Sequence, residues 1–185
     1  MEMSLPLPRP VAILDKTADW CARAGALVAA LAVTAACAHI LLEVVLRSFF
    51  QTSTFVVDEV VGYEVGAAIF LAMGHTYRSG ALIRVGLLIE TLHERWRFAF
   101  EVFAVLAALI ATALVCYSMS IELARVWKIG AVSQTIARVP LWLPKGMLLL
   151  GVLIFQITLL ARLSVLATRG MSLDAAAGSK RLLID

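Results

Sequence analysis

A few ionisable side chains stand inside otherwise apolar stretches, and they are where chemistry would be sought first. Glu64 is the deepest acid, about a turn and a half beyond Asp58 and Glu59 in a long apolar run. An acid at that depth faces protein or water rather than lipid. It is either an ion-coupling or proton site, or a hydrogen-bonded packing residue between helices. A second set, His39, Glu43 and Arg47, recurs at i, i+4 and i+8 on one helix face, with Glu43 N-terminal to Arg47 in the favourable order. His39, His75 and His93 raise the question of a b-type haem, which needs two histidines at one iron. Their positions along the expected helices put His39 and His75 at opposite ends, which is poor geometry for such a site. Cys21, Cys37 and Cys116 show no metal or redox spacing and read as small apolar helix residues. No phosphate loop, no Ser/His/Asp set and no metal spacing is present, so the residues point to no enzyme, no cofactor and no metal site.

The elements that must hold these residues are membrane helices. Of the 185 residues, 62% are hydrophobic and 16% charged, and the mean hydropathy is +0.93. A soluble domain of this size has too small a core to hide that much apolar surface. The expected class is all-α integral membrane with four transmembrane helices, at 24–46, 57–77, 98–120 and 139–163. Twenty-odd residues rising ~1.5 Å each cover a hydrocarbon core of ~30 Å. Residues 1–23 form an N-terminal arm, in which Val11–Arg23 makes a short amphipathic helix with Trp20 at the membrane boundary, or else a simple lead-in to the first span. No cleavable signal peptide is read there. Residues 24–166 are the membrane domain, and 167–185 a polar tail expected to be mobile.

Between the second and third spans, Gly80 breaks the incoming helix. Beyond it Ile83, Leu87, Leu88, Leu92 and Trp96 form an apolar stripe against Arg84, Glu90, Glu94, Arg95 and Arg97, the pattern of a helix lying on the membrane surface. Glu101 lies within i, i+4 reach of Arg97. Pro140 suits the first turn of the fourth span, and Lys145 snorkels near its start. Five basic residues, Arg47, Arg125, Lys128, Arg138 and Lys145, fall on one side of this layout. The other eleven of 16 fall with the termini and the 2–3 loop. The positive-inside rule therefore places both termini in the cytoplasm. The net charge of +3 reflects these basic inner loops and not nucleic-acid binding.

Several motifs follow one another in a familiar order. Arg47 and Phe49 close the first span and Glu59 opens the second. Gly74, Arg78 and Gly80 lead into Ile83-Arg84-Val85 and Leu87-Leu88. Trp127, Gly130 and Ser133 mark the later loop, and Pro140, Trp142, Pro144 and Gly151 the start of the fourth span. Over about Ala24–Leu163 the chain resembles the small membrane subunit, the DctQ-like subunit, of tripartite ATP-independent periplasmic (TRAP) transporters. Leu82 and Gly86 depart from it, standing where the family usually has histidine and aspartate.

The resemblance implies a small permease subunit in the bacterial inner membrane. Its partners would be a large membrane subunit holding the substrate and sodium sites and a periplasmic substrate-binding protein that delivers an organic acid. Membrane lipids are the remaining partner. Arg47, Glu59, Glu64, Gly74, Arg78, Gly80, Arg84, Trp127, Ser133, Pro140 and Trp142 then carry structural or interface roles. Arg47 and Glu59 pair across the first outer turn or snorkel separately. Arg78 and Arg84 hold the inner turn at the headgroups. Trp127 and Trp142 sit at the outer boundary, anchoring to lipid or touching the binding protein. Gly62, Gly66, Ala67 and Gly74 offer small-residue surfaces to the large subunit. Two other functions stay open: a stand-alone proton-coupled transporter using Glu64 or Glu43, and a membrane redox subunit.

Overall fold

The computed structural model describes residues 8–81 and 94–182, with side chains for 8–81 and 96–168. Four helices account for almost all of them: α1 (Arg9–Phe50), α2 (Val57–Arg78), α3 (Glu94–Ile129) and α4 (Trp142–Leu182). Among the described residues there is no strand, only one isolated antiparallel bridge between Val132 and Pro140. Helices α1, α2 and α4 touch pairwise, and α3 docks on α4.

The buried positions of α1 explain why it is continuous. Ala18, Ala22, Gly25, Ala29, Ala36 and Glu43 are the residues it hides. Two of these series repeat every seventh residue, the pattern that keeps one seam facing a neighbour. Because the knobs are alanine and glycine, the backbones come close, and contact is made by shape and not by bulk. The lead-in is therefore no separate surface helix: Ala18 and Ala22 are wholly buried in the same seam. At ~1.5 Å per residue the helix runs ~63 Å, about twice a hydrocarbon core.

Helix α2 is gripped from both sides. A Cβ on Gly25 of α1 would stand 2.6 Å from the Leu71 carbonyl oxygen, and one on Gly151 of α4 would stand 2.5 Å from the Phe70 carbonyl carbon. Ala29, Ala67, Ala68 and Leu71 fill the contact around this clamp, with Ile154 against them. A second cluster joins Val105 and Leu109 of α3 to Phe155, Leu159 and Leu166 of α4, with Met73 and Tyr77 of α2 at its edge. The Tyr77 and Phe155 rings meet edge to face at 5.9 Å.

Among the described residues, three helical segments are long and apolar enough to cross a membrane: Arg9–Phe50, Trp96–Ile129 and Trp142–Thr168. Helix α2 falls short, because its 22 residues carry Asp58, Glu59, Glu64, His75 and Arg78. Its bounds nonetheless match the expected second span almost residue for residue. The other helices overrun theirs, since hydropathy marks where an apolar stretch stops and not where a helix does. Residues 169–182, expected as part of a polar tail, continue α4, and Ala175–Ala177 and Leu173 are strong helix formers. Pro140 lies before α4, in the bridged loop, and it is Pro144 that occupies the helix's first turn. Most of the surface helix expected after Gly80, with Arg84, Leu82 and Gly86, lies outside the described residues; its last part, from Glu94 to Arg97, opens α3.

Candidate functional site: paired charges at the two ends of the bundle

At one end, α1 begins, α2 finishes and a basic residue meets two acids. Arg78, in the last turn of α2, donates from Nη1 to Asp15 Oδ1 at 3.0 Å and from Nε to Asp19 Oδ1 at 3.2 Å. Asp19 also holds Arg23, 2.8 Å away. Asp15 and Asp19 share a face of α1 because they are four residues apart. The Arg78 guanidinium, expected at the headgroups, is mostly enclosed and pairs with both acids of α1. Gly80 follows in the left-handed region (φ +72°), where a side chain is disfavoured, and ends the helix.

Near the middle, His39 of α1 faces Glu64 of α2. Its Nδ1 is 3.0 Å from Oε1 and 3.1 Å from Oε2, and a carboxylate oxygen accepts, so Nδ1 is the donor. Glu64 thus has a partner that the sequence alone did not supply. His75 lies ~16 Å further along α2 at ~1.5 Å per residue, so His39 and His75 do not converge. Among the described residues no group of three or more His, Cys, Asp or Glu side chains is arranged to hold a metal.

At the other end the connection between α1 and α2 is built around Glu43. This buried carboxylate accepts from Arg47 Nε at 2.7 Å, from Thr54 Oγ1 at 2.7 Å, from the Thr54 amide at 3.1 Å and from Ser53 Oγ. Four donors fill its lone pairs, which offsets the cost of burying the charge. The connection they hold contains Gln51 and Phe55 at φ 52° and 58°. Such values are costly for a bulky side chain and persist only where the surroundings enforce them. Arg47 is therefore committed to Glu43, and the pairing with Glu59 weighed from sequence does not form.

Glu59 is instead the tie between α2 and the loop after α3. It accepts from Tyr63 Oη at 2.6 Å and from Thr135 Oγ1. Ser133, also buried, joins Thr135 at 2.9 Å and accepts the Val139 amide at 3.2 Å. The loop closes on itself through Ser133 N to Val139 O at 2.9 Å and Leu141 N to Ala131 O at 3.0 Å. Trp127 and Trp142, both expected at the outer boundary, form an edge-to-face pair at 5.0 Å across the loop's two stems. Lys145 does not snorkel freely but donates to Glu122 at 2.7 Å.

Two further ties join α3 to α4. Glu101 pairs with Arg162 rather than with Arg97, and Thr112 donates to the Gln156 side-chain oxygen while Gln156 Nε2 donates to the Leu109 carbonyl at 3.4 Å. Of the small residues expected to meet an outside subunit, Ala67 and Gly74 are used internally. Gly74 sits against Ile154 and Thr158, and Gly66 touches only Leu148. Sequence reasoning missed Asp15, Asp19, Ser53, Thr54 and Thr135. The one available signal was the pair of acids four apart in the lead-in, on the same expected side as Arg78.

Long apolar helices and buried charges neutralised within the chain define a small helical membrane protein whose described residues carry no reactive constellation. The chain belongs to the family described as tripartite ATP-independent periplasmic transporters, DctQ component, whose family model matches residues 36–169. That family is a transporter component and not an enzyme family. Its tripartite assembly implies a membrane partner and a binding-protein partner for this chain. No curated protein and no solved structure matches the chain.

Proposed function

We propose that this chain is the static small permease subunit of a sodium-coupled, binding-protein-dependent transporter for organic acids. It forms a heterodimer with a large membrane subunit, which carries the substrate and sodium sites, and widens the scaffold against which that subunit's moving part travels. In this reading α2 is the fourth span, enclosed by α1 and α4, and both termini lie on the cytoplasmic side of a bacterial inner membrane. The basic-residue asymmetry supports that orientation. Phe49, Phe50, Phe55 and Trp127, all exposed at the Glu43 end, suit an outer interfacial belt.

The observation that carries the reading is the state of the deepest acids. Glu43, Glu64 and Glu101 each have a side-chain partner within this chain. A carrier needs groups that bind and release its ion, whereas a platform needs charges neutralised in place. Affinity purification through a tag on this chain should bring down a large multi-span protein. Vesicles containing this chain alone should not transport. Uptake by the lone chain that Glu64→Gln abolishes would replace the platform with a proton-coupled carrier.

A further inference from the structure

A groove of about 490 Å³ opens between α1 and α2 at the Glu43 end. Val44, Val61 and Val65 supply apolar wall, and Glu43, Arg47 and Asp58 are the charged groups that line it. The groove is open beside Gly62, where a Cβ would meet no side chain and no neighbouring helix of the described residues within 4 Å. The groove is not a by-product of poor packing elsewhere along the same helix pair, where Gly25 leaves no room at all.

Glu43 is already held by Arg47, Ser53 and Thr54; the other two charges, Arg47 and Asp58, have opposite sign and are not paired with each other. Glu43 takes the Nε edge of Arg47, and Ser53 lies 3.5 Å from Nη2. The side chain is 61% exposed, so donors on its outer edge remain for a ligand. Asp58 is exposed and has no ion-pair or hydrogen-bond partner among the described residues. Arginine matches a phosphate in two-point geometry, and a free carboxylate matches an ammonium. An anionic headgroup would meet Arg47 but be repelled by Asp58; a headgroup carrying both charges satisfies both.

We propose that this groove is a binding site for a zwitterionic phospholipid with a primary ammonium, a phosphatidylethanolamine. Its phosphate rests on Arg47, its ammonium on Asp58 and the start of one acyl chain in the valine-lined groove over Gly62. The placement rests on α1 and α2 being membrane spans, which sets Arg47 and Asp58 at headgroup depth; it does not depend on the scaffold role. Selectivity comes from the headgroup, because a lipid tail finds the bilayer as apolar as the groove. Arg47 also ties the headgroup to the Glu43 hub, so an occupied site braces the strained connection at 51–56.

The test is native mass spectrometry of the full chain in mild detergent, titrated with phosphatidylethanolamine and, separately, phosphatidylglycerol. Wild type should retain phosphatidylethanolamine several-fold better. Asp58→Asn should invert that preference, an outcome misfolding does not produce. Gly62→Leu should lower occupancy by either lipid several-fold with the thermal midpoint unchanged, since a Cβ there meets no side chain and no neighbouring helix of the described residues within 4 Å. Equal retention of both lipids by wild type, or no effect of either variant, overturns the site. Loss of a co-purifying large subunit from Gly62→Leu with lipid adducts unchanged would assign the groove to a partner helix instead. Failure of the wild-type chain to capture a large subunit would count against the scaffold reading and leave the lipid titration standing.

Discussion

Helices α2 and α3 invert the order expected in water. Helix α2, whose apolar stretch is broken by Asp58, Glu59, Glu64 and His75, packs between α1 and α4, while α3, whose apolar stretch has the highest mean hydropathy of the candidate spans, 2.4, touches mainly α4 and leaves Phe103, Ile110 and Leu114 more than 60% exposed. A soluble protein would bury α3 and surface α2. The inversion has a simple cause. In lipid there is no gain from hiding leucine, and polar groups are what must find partners. So the chain spends its close contacts on the helix with Glu59, Glu64 and Arg78, and leaves the greasy one facing outward.

If α2 is the clamped element, the largest effect should follow from breaking the clamp. Gly151→Leu drives a side chain into the Phe70–Leu71 backbone, which cannot step aside as a side-chain tip would. Overpacking of this kind costs ~3 kcal/mol or more, and the variant should lose its monodisperse peak or its cooperative thermal transition in detergent. Gly62→Leu on the open side of α2 is the matched control and should leave both unchanged. A stable, wild-type-like Gly151→Leu protein would mean that α4 does not cross α2 where described.

The next effect is electrostatic. Arg78→Gln leaves Asp15 and Asp19 facing a shorter, uncharged amide. For a partly exposed cluster the loss is about 1–2 kcal/mol, read as a lowered midpoint of unfolding in denaturing detergent. Combined with Asp19→Asn, the loss should be less than additive. Strict additivity would break the interhelical link and return Arg78 to the headgroups.

The pairs that hold α2 were the part least legible beforehand. Glu43 with Arg47 could be read from sequence because four residues of helix put both on one face. Arg78 with Asp15, 63 residues apart, and Arg162 with Glu101, 61 apart, depend on how whole helices cross, and periodicity says nothing about that. The same limit explains the extra helix in α1 and α4: apolar composition reports the solvent around a segment, while backbone hydrogen bonding can continue beyond it, as it does in α4 through Gly170 and Gly178. The bounds of α2 were legible because acids at its start and Arg78 with Gly80 at its finish mark the helix itself. In the sequence Gly25 looks like one more small residue in an alanine-rich run, since only the crossing shows that a methyl there collides with a carbonyl.

A smaller effect should appear at the far end of α2. Thr135→Val removes one donor to Glu59 and unhooks the 130–141 loop without touching a helix. The cost is about 1 kcal/mol, and it should be seen as faster amide exchange at Ser133 and Val139 with α2 unaffected. Exchange spreading into α2 would mean that the loop supports the helix and not the reverse.

The smallest effect in the isolated chain separates the two helices most sharply. Leu114→Ala lies on the open face of α3, 63% exposed, so it should change the chain's own stability by less than about 0.5 kcal/mol. In the assembled transporter the same substitution tests what covers that face. Wild-type yield of co-purified large subunit would mean that lipid alone lies against α3 there. A reduced yield, with the isolated chain still stable, would place the partner on α3. The inversion between the two helices would then be the consequence of an interface and not of the bilayer.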